Sequence, residues 1–162
     1  MSELTCKQIR TVYTDGACSG NPGAGGWAAL ICFSDRSQVE LTGYSAHTTN
    51  NQMEMQAAIA ALEFIGRHLA EHPQTQPIAL FTDSKYLLDG ISKWIKNWKR
   101  NNWQTSTKQA VKNQDLWQSL DRLITQLKPQ VKVEWHWVAG HSGNPGNDRC
   151  DFLARSQITQ RN

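Results

Sequence analysis

Twice in this chain an apolar run closes on threonine and then aspartate: Val12-Tyr13-Thr14-Asp15-Gly16 and Leu80-Phe81-Thr82-Asp83-Ser84. Each run reads as a strand that delivers a carboxylate where its apolar pattern breaks. Two such strands in one small domain hold two hard oxygen ligands at one edge of a sheet, and few folds allow that. With 162 residues, 39% of them hydrophobic, the chain has enough apolar material for one domain with a sizeable core, so residues 1–162 are expected to form a single domain.

The pattern between and around these runs sets the expected architecture. Ile9 to Thr14 reads as a strand. The glycine-rich stretch Gly16 to Gly26 follows, then a second strand from Trp27 to Phe33 and a third in the alternating Val39 to Tyr44, which together make an antiparallel meander. Asn50-Asn51 opens a helix with the stripe Met55, Ala58, Ile59, Leu62, Ile65 and Leu69. Pro77 to Thr82 reads as a buried strand, and Leu87, Leu88, Ile91, Trp94, Ile95 and Trp98 as one helix after it. Trp103 to Val111 is irregular, and Asp115 to Leu127 is amphipathic and helical. Val131 to Val138 alternates as a strand with one apolar face, and a last helix runs from about Asp148 to Thr159. A helix between two strands implies a parallel βαβ unit added to the meander, hence an α/β fold with a mixed sheet.

Charge is more informative by position than by sum. The formal net charge is only +3, yet no acidic residue stands between Asp89 and Asp115, where Lys93, Lys96, Lys99, Arg100, Lys108 and Lys112 supply six of the seventeen lysines and arginines. That is a local positive field suited to phosphates. Trp94 and Trp98 share its helix face, where they either pack in the core or offer a flat surface to a sugar or base. Cysteines 6, 18, 32 and 150 have no metal-finger or paired spacing and read as reduced thiols. Met1 to Arg10 lacks the apolar centre of a signal peptide and no run reaches membrane-span length, so a cytoplasmic location is expected.

Each acidic candidate has an ordinary reading beside the chemical one. Glu54 follows Asn51 at capping-box spacing, Asp83 is placed to cap the helix after it, Asp15 precedes a glycine as turn residues do, and Asp151 fits an exposed helix charge. Gathered over one sheet edge, the four would repel by about 4 kcal/mol per pair at ~4 Å and an effective dielectric near 20. Protonation or a cation must relieve that. A site of carboxylates without thiolates suits Mg²⁺ or Mn²⁺, and two such ions promote in-line attack on a phosphodiester. His141 lies in a Gly/Asn/Pro loop just ahead of Asp151, where a histidine relays protons near neutral pH or helps to dislodge a product-bound metal. Gly20 to Gly26 resembles a nucleotide-binding loop only superficially, because no Lys-Ser/Thr pair follows and the next segment reads as strand. Its glycines are expected to make the bend or to let a nucleic-acid backbone lie close.

The motifs Tyr-Thr-Asp15-Gly-Ala-Cys-Ser-Gly-Asn-Pro-Gly, Thr-Thr-Asn-Asn-Gln-Met-Glu54, Phe-Thr-Asp83-Ser, Trp-Val-Ala-Gly-His141-Ser-Gly and Asn-Asp-Arg-Cys-Asp151 occur in the order and approximate spacing of bacterial-type ribonuclease HI, which the chain closely resembles over nearly its whole length. The resemblance implies the ribonuclease H fold, a mixed five-stranded sheet flanked by helices, in a single domain without a separate hybrid-binding domain. It implies an endonuclease that hydrolyses the RNA strand of RNA–DNA hybrids with two Mg²⁺ ions, or Mn²⁺ in their place, leaving 5′-phosphate and 3′-hydroxyl ends, and acting as a monomer. Carried over by position, Asp15, Glu54, Asp83 and Asp151 resemble the metal-binding carboxylates and His141 the mobile catalytic histidine, whereas Asp148 falls on no catalytic position. Cys18, Asn21, Thr49, Asn50 and Asn51 resemble hybrid-contacting residues, and Trp94 resembles the groove tryptophan. Lys96, Lys99 and Arg100 lie in what resembles the basic protrusion that grips the DNA strand. Lys85 departs from the pattern, standing where many members carry glutamine, so a charge contact is expected in place of an amide contact. The competing expectations are another nuclease of the same fold acting on DNA, and a non-catalytic nucleic-acid-binding module.

Overall fold

A computed structural model describes residues 7–160. The meander consists of β1 (Ile9–Ser19), β2 (Gly23–Phe33) and β3 (Gln38–Thr48); α1 (Asn50–Glu71) leads to β4 (Ile78–Thr82). Next come α2 (Lys85–Asp89), a π-helical turn over Gly90–Trp94, α3 (Ile95–Arg100) and α4 (Gln114–Leu127), then β5 (Val133–Trp137) and α5 (Pro145–Thr159). The five strands form one sheet in the order β3-β2-β1-β4-β5. The meander pairs are antiparallel, while β4 pairs parallel with both β1 and β5, which is the mixed sheet expected from the sequence.

Helices cover both faces. On one, Val12, Ile31, Ile78 and Leu80 of the sheet meet Met55, Leu62 and Ile65 of α1 and Trp117 and Leu120 of α4, all fully buried. Each such side chain contributes about 1.5–3 kcal/mol by leaving water. On the other face, α5 sets Cys150 and Ala154 against Ala28 and Leu30. Cys18, Cys32 and Cys150 are free thiols, as expected; Cys6 lies outside the described residues.

Several expected boundaries move, each for a local reason. β1 runs on to Ser19 and β2 starts at Gly23, so most of the glycine-rich stretch is paired strand: Gly16 faces Trp27, Ala17 faces Gly26 and Cys18 faces Gly25. Two of its glycines serve packing rather than a bend or an approaching nucleic acid. A Cβ at Gly16 would stand 2.5 Å from the backbone nitrogen of Glu54, and one at Gly26 would stand 2.2 Å from the carbonyl oxygen of Ala154. The two helices therefore press on adjacent strands at positions where only glycine fits.

The expected single helix from Ser84 to Trp98 is interrupted at Gly90, against whose backbone the Trp117 indole packs, 2.0 Å from where a Cβ would lie. Val131 is not strand: its N–H bonds the carbonyl of Leu127 and closes α4. α5 begins at Pro145, ahead of Asp148, because the Asn144 side chain accepts from the Asn147 N–H and proline suits a first helical turn.

Candidate active site

The two Thr-Asp runs come together through the parallel register. β1 and β4 pair from Thr11 with Ala79 up to Thr14 with Thr82, where β4 ends, so Asp15 and Asp83 follow side by side. Asp83 emerges at a strand end as expected. Asp15 does not, for it sits mid-strand opposite Ala28 and marks the end of its neighbour rather than of β1. Glu54 arrives from α1, brought over the pair by the contact of its backbone with Gly16.

One carboxylate oxygen from each of Asp15, Glu54 and Asp83 lies within 4.8 Å of the other two. Asp15 and Glu54 are each only 4% exposed. Burial, with the Asp83 and Asp151 charges adding to it, pushes the Asp15 carboxyl up to about 8, opposed by the Gly16 N–H that donates to its Oδ1 at 2.9 Å. Glu54 is likewise raised well above the ordinary range, by burial first and then by the charges of Asp15 and Asp83. Buried oxygens of Glu54 (Oε1) and Asp83 (Oδ1) have no hydrogen-bond partner. Buried polar atoms are seldom left so, and these two unpartnered oxygens, converging beside the Asp15 carboxylate, fit a divalent cation with hard oxygen ligands. The nearby Cys150 thiol is no competing ligand: burial raises its pKa and its Sγ donates to the Tyr13 carbonyl at 3.3 Å.

The ordinary readings of two of these acids do not hold. α1 has a capping box, but Thr49 and Gln52 make it: Thr49 Oγ1 accepts from the Gln52 N–H, and Gln52 Oε1 accepts from the Thr49 N–H. Ser84, not Asp83, caps α2, its Oγ accepting from the Leu87 N–H at 3.1 Å. Glu54 and Asp83 are thereby free of structural duty.

Asp151 stands outside the close trio. It is half-buried on α5, which lies on the sheet face opposite α1, and its Oδ1 accepts from Arg155 Nε at 3.2 Å. It reaches the cluster through its charge on Asp15. His141 is exposed in the loop between β5 and α5, at a left-handed φ of 58°, with Nε2 3.5 Å from Arg155 Nη2. That loop abuts the site, since a Cβ on Gly140 would lie 2.8 Å from Asp83 Oδ2.

The residues matched to substrate contacts fall in separate groups. Asn21, exposed in the β1–β2 turn, accepts from the Asn50 N–H at 3.0 Å, while Cys18 Sγ donates to the Thr48 carbonyl. These bonds gather Cys18, Asn21, Thr49, Asn50 and the exposed Asn51 at the start of α1. Trp94 is half-buried, edge-on to Tyr86 and Trp117 and tilted against Trp98, so core packing and an exposed margin coexist. Lys96, Lys99 and Arg100 are exposed on α3, with Lys99 paired to Asp121 at 3.2 Å. Lys85 is exposed at the start of α2.

Two polar residues in this region went unnoticed in the sequence. Gln52 Nε2 donates to Asn113 Oδ1 at 3.0 Å, and Asn113 Nδ2 donates to the Tyr86 hydroxyl at 3.1 Å, tying the start of α1 to the tryptophan cluster. Asn113 has a left-handed φ of 59° just ahead of α4; asparagine before an amphipathic run was its only signal.

The RNase H family model matches residues 7–159. The chain belongs to the ribonuclease H family. It is 54% identical to the ribonuclease H of Cyanothece sp. (strain PCC 7425 / ATCC 29141) over 92% of this chain and 88% of that protein. Against the ribonuclease H of Nitrosococcus oceani it is 51% identical over 94% and 95%. Among solved structures, LC9-RNase H1, a type 1 RNase H with the type 2 active-site motif, superposes with a TM-score of 0.77 at 29% identity, over 94% of this chain and 72% of that one. LC11-RNase H1 in complex with an RNA/DNA hybrid shares the fold, with a TM-score of 0.70 at 19% identity over 95% and 99%. This ribonuclease H is therefore an enzyme whose acidic cluster suits a divalent metal, and among its described residues no helix is long and apolar enough to cross a membrane.

Proposed function

We propose that this enzyme hydrolyses the RNA strand of RNA–DNA hybrids endonucleolytically, with two Mg²⁺ ions, or Mn²⁺ in their place, leaving 5′-phosphate and 3′-hydroxyl ends. The observation that carries the reading is the convergence of Asp15, Glu54 and Asp83, with buried Glu54 and Asp83 oxygens unpartnered, at one end of the sheet of a ribonuclease H. Asp15, Glu54 and Asp83 would hold the ions, with Asp151 completing the set from the opposite face; when bound, the ions supply an activated water and neutralise charge on the phosphate. His141, exposed on a loop bordering Asp83, carries a proton at the leaving oxygen.

Cys18, Asn21, Thr49, Asn50, Asn51 and Lys85 lie on the hybrid near the cut, and Trp94, Lys96, Lys99 and Arg100 hold the DNA strand. Selectivity follows from two demands made at once: 2′-hydroxyls on the strand at the carboxylates, and a deformable deoxyribose strand at the tryptophan and basic segment. The reading takes the chain as one ribonuclease H domain acting as a monomer in the cytoplasm. Labelled RNA–DNA hybrid, duplex DNA and duplex RNA incubated with Mg²⁺, Mn²⁺ or EDTA, with Asp15→Asn alongside, test it. Only the hybrid is cut, only with metal and only by the unsubstituted protein; equal cutting of all three duplexes, or cutting in EDTA, defeats the assignment.

A further inference from the structure

The last residue of β5 breaks the apolar face expected of that strand. Trp135 packs against the core, but two positions on Trp137 is 50% exposed, one of two large apolar side chains so exposed among the described residues. Its place is close to the reaction. Trp137 pairs in parallel register with Thr82, the residue before Asp83, and the Val138 N–H extends the pairing to the Thr82 carbonyl at 2.9 Å. A broad aromatic surface is thus left in water one strand from a carboxylate of the site.

Lys85 stands over that ring, its Nζ 4.9 Å from the centroid. It is exposed, and among the described residues no carboxylate lies within ion-pair reach of it, whereas Lys7, Lys93, Lys99 and Lys132 each have one. The ring holds the ammonium in place without neutralising it. An uncompensated cation beside an exposed aromatic surface is the pairing by which proteins hold a nucleic-acid strand with little sequence preference: phosphate to the cation, sugar or base to the ring.

We infer that Lys85 and Trp137 together form a contact for the RNA strand beside the cut, Lys85 taking a backbone phosphate and Trp137 presenting its ring to the adjoining nucleotide. The inference rests on the proposed hybrid cleavage and adds Trp137 to the substrate surface. Affinity for a labelled hybrid is measured by anisotropy across a salt series in the cleavage-deficient Asp15→Asn background, with kcat and KM measured in proteins that keep Asp15. Lys85→Gln is expected to flatten the slope of log Kd against log salt by about 0.7–0.9, one phosphate's share, while Lys85→Arg keeps it. Trp137→Ala is expected to weaken binding about tenfold, Trp137→Phe to retain most of it, and both Trp137→Ala and Lys85→Gln to raise KM with kcat held. Unchanged affinity and slope in folded Lys85→Gln and Trp137→Ala proteins, or a loss confined to kcat, overturns the contact. If the unsubstituted protein fails to cut hybrid at all, the functional reading falls instead, a result the binding series cannot mimic.

Discussion

The environment of Asp15 opposes the charge its chemistry needs. Its carboxyl is raised to about 8 by burial and by the charges of Asp83 and Asp151. A carboxyl raised on folding favours the folded state while protonated; that contribution is complete below the ordinary carboxylate range and is lost as pH climbs towards 8. In divalent-free buffer, Asp15→Asn should therefore gain in Tm relative to the unsubstituted protein as pH rises from 4 to 8. Thermal melts across that range check it, and a difference that stays flat with pH contradicts the electrostatic account. Sequence did not separate this role from a turn aspartate, since Asp-Gly serves either, and only the neighbouring carboxylates decide.

At the scale of elements, the site depends on how closely α1 lies on β1. Gly16 permits that contact: an added Cβ would stand 2.5 Å from the Glu54 nitrogen and 2.6 Å from the Met53 carbonyl carbon, both backbone atoms that cannot swing aside. Gly16→Ala should cost about 1–3 kcal/mol through the forced shift and lower activity further, because the helix that moves carries Glu54. Gly66, in the same helix, is the matched control. The nearest atom to its added Cβ is 4.0 Å away, so Gly66→Ala should stabilise by about 0.5–1 kcal/mol and leave turnover unchanged. Urea unfolding of the two variants separates them, and equal stability would show that α1 does not depend on this approach. In the stretch Gly16 to Gly26, Gly20 makes the expected bend at a left-handed φ of 82°, but sequence missed the paired glycines: glycines weaken a strand locally, and only helices on both faces of the sheet make their small size an advantage.

Across the whole molecule, the sheet joins an acidic cluster at one end of β4 to a basic segment that begins after α2, and metal binding should register in global stability. Ions held by the folded state alone raise Tm with concentration, by RT ln(1 + [L]/Kd). Mg²⁺ should thus raise the melting temperature of the unsubstituted protein at pH 8 and do much less for Asp15→Asn; equal shifts in the two would place the ions elsewhere. Strand and helix order and the parallel addition to the meander were legible in the sequence, because period-2 and period-3.6 apolar patterns are properties of neighbouring residues. The tertiary structure decided what distance along the chain conceals. It put Asp15 in the middle of a strand, made Thr49 and Ser84 the caps, and kept Asp151 outside the close trio on the far face. It also left Trp137 in solvent beneath Lys85. Those outcomes turn on burial and on contacts between remote segments, which exist only once the helices have settled on the sheet.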